Sequence, residues 1–320
     1  MGWQLFQMLV FPGFLFLVVF ALLAQYVDRK FCAKLQNRVG PPWYQPWADL
    51  LKLGAKEDLI PIDVDRPVFT ASPLVAMAAV ATAMLYIPVW GPTAAWSFSG
   101  DVIVVLYLLT IPTVTFFLAG WYSRSVFSML GAVRSLMQLF AYEVPLFLAI
   151  LAPALLAGTW SLSGMAEFYS ARPALAAFNV IGLAVSLVAL LGKLEKVPFD
   201  IPEAETEIVG GTFTEYSGRL LGMFRLAIDI EMVVGATLLA AVFLPFGLST
   251  GAWLGGSAGA IVGFLLYLVK VTVIVLLMSL ARSLCARYRI DQMINFCWQI
   301  AAPVAFVQLL LDLAVKEWIV

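Results

Sequence analysis

Apolar runs of membrane-crossing length recur along this chain, separated by short polar stretches. A helix needs about 20 residues to cross roughly 30 Å of hydrocarbon. Eight runs approach that length, near 4–27, 71–90, 101–121, 135–157, 174–193, 222–247, 259–281 and 298–318. None shows the alternation of a membrane β-barrel. The pattern predicts an all-α polytopic membrane protein with about eight transmembrane helices, forming one integral membrane domain over 1–320. The first run exceeds a signal-peptide core and has no basic residue ahead of it, so a retained helix is expected. One polar stretch, 45–57, is itself periodic. After Pro46 it places Trp47, Leu50, Leu51, Gly54 and Ala55 on one side and Asp49, Lys52 and Lys56 on the other, with Leu53 out of register. It predicts an amphipathic helix lying against the membrane and the adjoining helices.

Charge then orders the loops. Sixteen of the nineteen Lys and Arg residues lie in or beside 28–70, 122–134, 193–225 and 282–296, which are alternate stretches and share one side. The loops 28–70, 122–134, 194–221 and 282–297 on that side are expected to form one docking face. The positive-inside rule makes that side cytoplasmic, with both termini outside. The opposite loops, near 91–100, 158–173 and 248–258, hold one basic residue, Arg172, and are too short for an outer domain. A net charge of −1 gives no indication of nucleic acid. There is no histidine, and Cys32, Cys285 and Cys297 are isolated. The chain therefore lacks ligands for an iron–sulfur cluster, a histidine-held haem or zinc, and any redox centre is expected on a partner.

Within this apolar background, Glu195, Asp200, Glu203, Glu205 and Glu207 fall inside thirteen residues. Charge beside hydrocarbon is costly and marks a candidate functional site. Asp200 is placed to cap a short helix, with Pro202 in its first turn and Glu203 at the capping-box position. Glu203 and Glu207 would then share a face and raise each other's proton affinity. A solvated acidic loop is the plainer alternative. Gly210-Gly211, with Phe199, Phe213 and Tyr216, favours a packed loop docked on a partner. Inside the spans, Glu143 stands beside Pro145, whose missing N–H makes the site more polar; a structural hydrogen bond is the alternative. Asp229 follows Arg225 by four, the spacing of a local ion pair, and Glu231 points elsewhere. Lys270 is mid-span and should meet an acid: Glu231, Asp312 or a carboxylate of an adjoining subunit. Glu143, Glu203, Glu205, Glu207, Glu215, Asp229, Glu231 and Lys270 together read as a proton path. No nucleophile–base pair or cofactor cradle indicates a catalytic site.

Several motifs occur in order over nearly the whole chain. They are Asp28-Arg29-Lys30 with Gln36-Asn37-Arg38-Val39-Gly40-Pro41; the 45–57 helix; Gly131-Ala132-Val133-Arg134-Ser135 through Tyr142-Glu143; Pro198-Phe199-Asp200-Ile201-Pro202-Glu203-Ala204-Glu205 through Glu215-Tyr216-Ser217-Gly218; and Tyr288-Arg289-Ile290-Asp291-Gln292-Met293. In these the chain resembles the H-subunit (subunit 1) family of respiratory complex I and its relatives, the membrane-bound energy-converting NiFe hydrogenases. The resemblance implies a subunit without redox centres that joins a soluble redox arm to a proton- or sodium-translocating membrane arm. It implies a docking face carrying Arg29, Arg38, Trp47, Asp200, Tyr216, Arg287, Arg289 and Asp291. Implied partners are a hydrogenase-like large subunit, a small iron–sulfur subunit, antiporter-like membrane subunits and lipid, in a prokaryotic inner membrane. Iron–sulfur clusters and a NiFe centre would belong to those partners. Two departures, the shortened 40–46 turn and Asp229 with Glu231 in the sixth span, match the hydrogenase branch; Ala286 replaces a usual proline. A quinone is the ligand of the second reading, a quinone-reducing NADH dehydrogenase. A stand-alone secondary ion transporter is the third, weakened by the lack of internal repeats.

Overall fold

A computed structural model describes residues 2–89, 91, 93–246 and 256–319, and all regular structure among these residues is helical. Most of the expected outer loop at 248–258 lies outside them. In chain order the helices are α1 (Gly2–Leu9), α2 (Phe14–Leu35), α3 (Gln45–Ala55), α4 (Arg66–Leu85), α5 (Asp101–Tyr122), α6 (Val126–Ala157), α7 (Leu162–Ala171), α8 (Pro173–Phe178), α9 (Val180–Lys193), α10 (Glu205–Ile208), α11 (Gly218–Phe243), α12 (Gly256–Leu284), α13 (Ile290–Phe296) and α14 (Ala302–Ile319). Seven stretches are long and apolar enough to cross a bilayer: Gly2–Leu35, α4, α5, α6, α11, Gly259–Leu284 and Ile290–Trp318. The expected fifth span is interrupted at Asn179. Only the 14 residues of α9 are continuous, about 21 Å of helix.

Prolines set much of the local geometry. Pro12, followed by Gly13, separates α1 from α2. Pro73 lies inside α4 and leaves the Phe69 carbonyl without its helical donor. Tyr216 replaces that donor: its hydroxyl reaches Phe69 O at 3.1 Å, and its ring stacks on Phe69 with centroids 3.9 Å apart. Before Pro303 the chain takes one π turn, Cys297–Ala301, between α13 and α14. A proline that cannot donate to the preceding turn accounts for the wider coil.

Helix α11 is the axis of the molecule. Its most apolar window is 100% buried, against 28% for the first and last spans. Helices α2, α4 and α12 pack around it, while α6 packs against α5, α9 and α14. The amphipathic α3 covers the basic end of α11, as the periodicity predicts, but with a different inner face. Pro46 is buried and Trp47, Leu50 and Leu53 are partly buried, whereas Leu51, Gly54 and Ala55 are exposed. The apparently misplaced Leu53 fits the notch left by Gly222: a Cβ there would stand 3.2 Å from Leu53 Cβ. The docking surface, rather than the widest apolar arc, selects the buried side.

Two further boundaries differ from expectation. Asp28, Arg29 and Lys30 sit on the last turns of α2, not in a loop, because Asp28 is neutralised there by ion pairs. Asp200 caps no helix: α10 begins at Glu205 and has no side-chain cap. The 194–217 segment is instead a compact series of turns that buries Phe199, Ile201, Ala204, Ile208, Phe213 and Tyr216. Gln138 of α6 fastens it, donating to Gly192 O at 2.6 Å and Phe199 O at 2.8 Å. Gly131 permits the close approach, since a Cβ would come within 2.4 Å of Thr212 N. At the segment's end Gly218 has φ +57°, and a Cβ would meet Glu57 O at 2.5 Å. The adjacent Asp58 accepts from the Arg219 backbone N–H at 2.7 Å, at the start of α11.

Candidate functional site

At the basic end of the bundle, α2, α11, the 194–217 segment and the loop after α12 enclose a chamber of about 460 Å³. Its walls are charged. Asp28 and Arg29 come from α2; Glu195, Lys196, Asp200 and Glu203 from the segment; Arg225 and Asp229 from α11; and Arg282 and Arg287 from the end of α12 and beyond. A second cavity of about 290 Å³ shares Gln25, Arg29, Arg225 and Asp229 with it and reaches α3. Arg29 pairs with Asp49 at 2.9 Å, and Gln45 holds the other Asp49 oxygen at 2.8 Å, tying α3 to the chamber.

Asp28 organises one wall. It is 3% exposed. Its carboxylate receives Lys196 Nζ at 3.1 Å, Arg282 Nη1 at 3.0 Å and Ser279 Oγ at 2.6 Å. A buried carboxylate with two cations and a hydroxyl has the partners that desolvation requires. Asp229 is buried on α11, where the positive charges of Lys196, Arg29 and Arg225 act on it. The expected Arg225–Asp229 pair does not form; Arg225 turns to Glu203 at 3.0 Å. Glu207 pairs with Arg134 of α6 at 2.6 Å, and Asp200 with Arg287. Glu203 and Glu207 therefore serve separate arginines rather than sharing a face, because the chain between them turns before α10 begins. The Glu205 side chain lies outside the described part. Glu215 is partly buried on the turn before α11, away from the chamber lining.

Deeper in the bundle, Glu231 meets Lys193 at 3.0 Å, each side chain 1% exposed. Lys193 also donates to Leu109 O, near the turn that Pro112 opens in α5, and lies 5.6 Å from the Tyr142 ring centroid. Tyr142 and Thr113 share a hydrogen bond of 2.9 Å between hydroxyls. Glu143, the next residue on α6, is partly buried. Glu195 bridges the chamber and α6: it is buried, and Ser135 Oγ donates to it at 2.5 Å. Burial pushes the Glu195 carboxyl up to about 8 against the Ser135 hydrogen bond, with the charges of Glu203 and Glu231 acting in the same direction as burial. Charged groups thus run from the chamber through Glu195 to the Lys193–Glu231 pair, and the charge of Lys193 also acts on Glu143. Proton gain or loss at one member changes the proton affinity of the next.

The structure brings together Glu143, Glu203, Asp229 and Glu231 in this region, with Arg29, Asp200 and Arg287 of the expected docking face. Trp47 and Tyr216 support it as packing residues. Arg38, Arg289 and Asp291 stand exposed on the same basic side. Lys270 is elsewhere: Glu231 is engaged by Lys193, and Asp312 by Gln308 at 2.8 Å. The sequence reading missed Lys193, Lys196, Ser279 and Arg282, and it named Asp28 and Glu195 only within a motif and the acidic cluster, without giving either a place on the proton path. The one available signal was the alternation Lys193, Glu195, Lys196 at the end of an apolar run.

The comparisons with known proteins agree with this architecture. The family model described as NADH dehydrogenase matches residues 7–313. The H subunit of NADH-quinone oxidoreductase from Dehalococcoides mccartyi is 33% identical over 311 residues, covering 92% of this chain and 82% of that protein. The protein of the same name from Carboxydothermus hydrogenoformans is 32% identical over 303 residues, covering 91% and 83%. Among solved structures, a chain of the membrane-bound sulfane sulfur reductase, an archaeal respiratory membrane complex, superposes with a TM-score of 0.83 at 26% identity. The match covers 98% of this chain and 100% of that one.

Proposed function

The chain belongs to the NADH dehydrogenase family, whose members include the H subunit of NADH-quinone oxidoreductase, and on that premise we propose that it anchors a soluble redox arm and couples it to proton or sodium translocation. It is a multi-pass membrane subunit of a complex-I-like assembly. The observation that carries the coupling role is the run of charged groups from the 460 Å³ chamber through Glu195 to the buried Lys193–Glu231 pair. A redox event that changes charge at the chamber mouth changes the proton affinities along this chain. The basic side faces the cytoplasm, where a large hydrogenase-like subunit and its iron–sulfur partner dock and supply all redox cofactors.

We assign the chain first to a membrane-bound NiFe hydrogenase. Sites for apolar organic ligands are predominantly apolar with few polar groups, whereas this chamber is lined mainly by charged side chains; that favours a subunit that holds no quinone. Reduction of sulfane sulfur is the second reading, favoured by the full-length likeness to a subunit of that reductase. The test is purification of the intact complex and reconstitution into vesicles, with hydrogen evolution, sulfide formation and quinone reduction assayed beside ion uptake. Hydrogen evolution with ion uptake is expected. Dominant quinone reduction would move the assignment to the NADH dehydrogenase reading. In the same vesicles Glu143→Gln keeps turnover and loses most ion uptake; full uptake would remove Glu143 from the path.

A further inference from the structure

Lys270 lies midway along α12, about 21 Å of helix from either end at 1.5 Å per residue. That depth places it near the bilayer centre, out of reach of lipid headgroups at either surface. It is partly buried at the edge of an exposed apolar stripe that includes Leu265, Val269 and Val273. Among the described residues it makes no ion pair. Residues 90, 92 and 247–255 carry no acidic side chain, and Glu205, whose side chain also lies outside the described part, belongs to the 194–217 segment at the basic end of the bundle. The groove beside Lys270 is only about 10 Å³, room for at most a single water and too little to hydrate an ammonium as bulk solvent does. The hydroxyls that line the same groove, Tyr267 and Thr237, bond to each other at 3.1 Å. The surrounding surface is available to another molecule: only 33% of this span's apolar window is buried, against 100% for α11.

We propose that Lys270 marks the interface with a neighbouring membrane subunit, which contributes an intramembrane carboxylate to pair with it. The inference rests on the assembly role proposed above. Charge complementarity selects the partner. A lysine in the hydrocarbon requires an acid or a wet cavity, the described residues provide neither, and an anionic lipid headgroup does not reach the midplane. The stripe of Leu265, Val269 and Val273 supplies the apolar contact around the pair.

A photo-crosslinking amino acid at position 270, activated in native membranes before purification of the complex, tests the contact directly. A covalent adduct to a transmembrane helix of another subunit, with a Glu or Asp within one turn of the crosslinked residue, is expected. Adducts to lipid alone, or within this chain alone, would overturn the proposal. Lys270→Glu should lower the recovery of that subunit in the purified complex several-fold, while Lys270→Arg retains it; equal recovery in both variants would also overturn it. Should the wild-type chain purify with no other subunit at all, the assembly role itself fails, an outcome distinct from an intact complex crosslinked only to lipid.

Discussion

Lys193 and Glu231 each expose 1% of their side chain and cannot be treated as a surface ion pair. Removing one partner from a buried pair leaves an uncompensated charge and costs about 3–5 kcal/mol, whereas replacing both by apolar residues is often nearly neutral. Lys193→Met is therefore expected to lower the melting temperature of the purified complex sharply, and Lys193→Met with Glu231→Leu to recover most of the loss. Equal destabilisation by the single and double changes would show that the two residues are not coupled. Glu195 makes a different prediction. Burial raises it from 4.5 to about 8, so between those values the folded chain holds a proton that the unfolded chain has released. Stability from this group is highest below pH 4.5 and falls as pH rises towards 8. Glu195→Gln removes that fall. Its melting temperature relative to wild type should rise steadily from pH 5 to pH 8, and a constant difference across that range would refute the assignment.

At the scale of elements, α6 and the 194–217 segment are closely joined. Gly131 faces the backbone of Thr212 and Gly211, with 2.4 Å and 2.7 Å available to a Cβ, so an alanine cannot be accommodated by moving a side chain. Gly131→Ala is expected to cost on the order of 1–3 kcal/mol and to lift the Gly211–Phe213 turn from α6. Limited proteolysis should then cut within 203–210 faster than in the wild type; an unchanged rate would show that the segment is held mainly by Gln138 and the arginine pairs. The same region shows what sequence could reveal. The positions of seven of the eight expected spans and the existence of the amphipathic α3 were legible because hydropathy and period are properties of single elements, whereas the break at Asn179 that leaves α9 only 14 residues was not. That 194–217 is packed was legible from Phe199, Phe213 and Tyr216. The partners were not: Arg225 for Glu203, Arg134 for Glu207, Arg287 for Asp200 and Lys193 for Glu231 lie up to 87 residues apart. Those pairings depend on which helices touch, which no local period encodes. Glu203 and Glu207 were misread for that reason, since a helical spacing was assumed across a turn. Leu53 was misread because the notch at Gly222 belongs to another helix.

For the whole molecule, the chamber, the loop after α12 and the 194–217 segment all lie at the end where the Lys and Arg residues concentrate. Proton coupling to a cytoplasmic redox arm requires that end to face the cytoplasm. The native cysteines provide the test without substitution of any charged group. Cys285 is exposed in the basic loop, Cys297 is buried, and Cys32 is partly buried with its thiol 3.4 Å from Ser279 O. A membrane-impermeant maleimide should therefore label Cys285 in inverted vesicles washed free of peripheral subunits. It should give little signal in right-side-out vesicles, and Cys285→Ser should abolish the difference. Reattaching the soluble arm should protect Cys285 at least several-fold, because Arg287, Arg289 and Asp291 share its surface. Labelling from the outer side would reverse the orientation and place the chamber away from any cytoplasmic arm. Labelling from the correct side that the soluble arm does not reduce would keep the orientation but move the docking surface away from the loop after α12, towards Arg38 and α3.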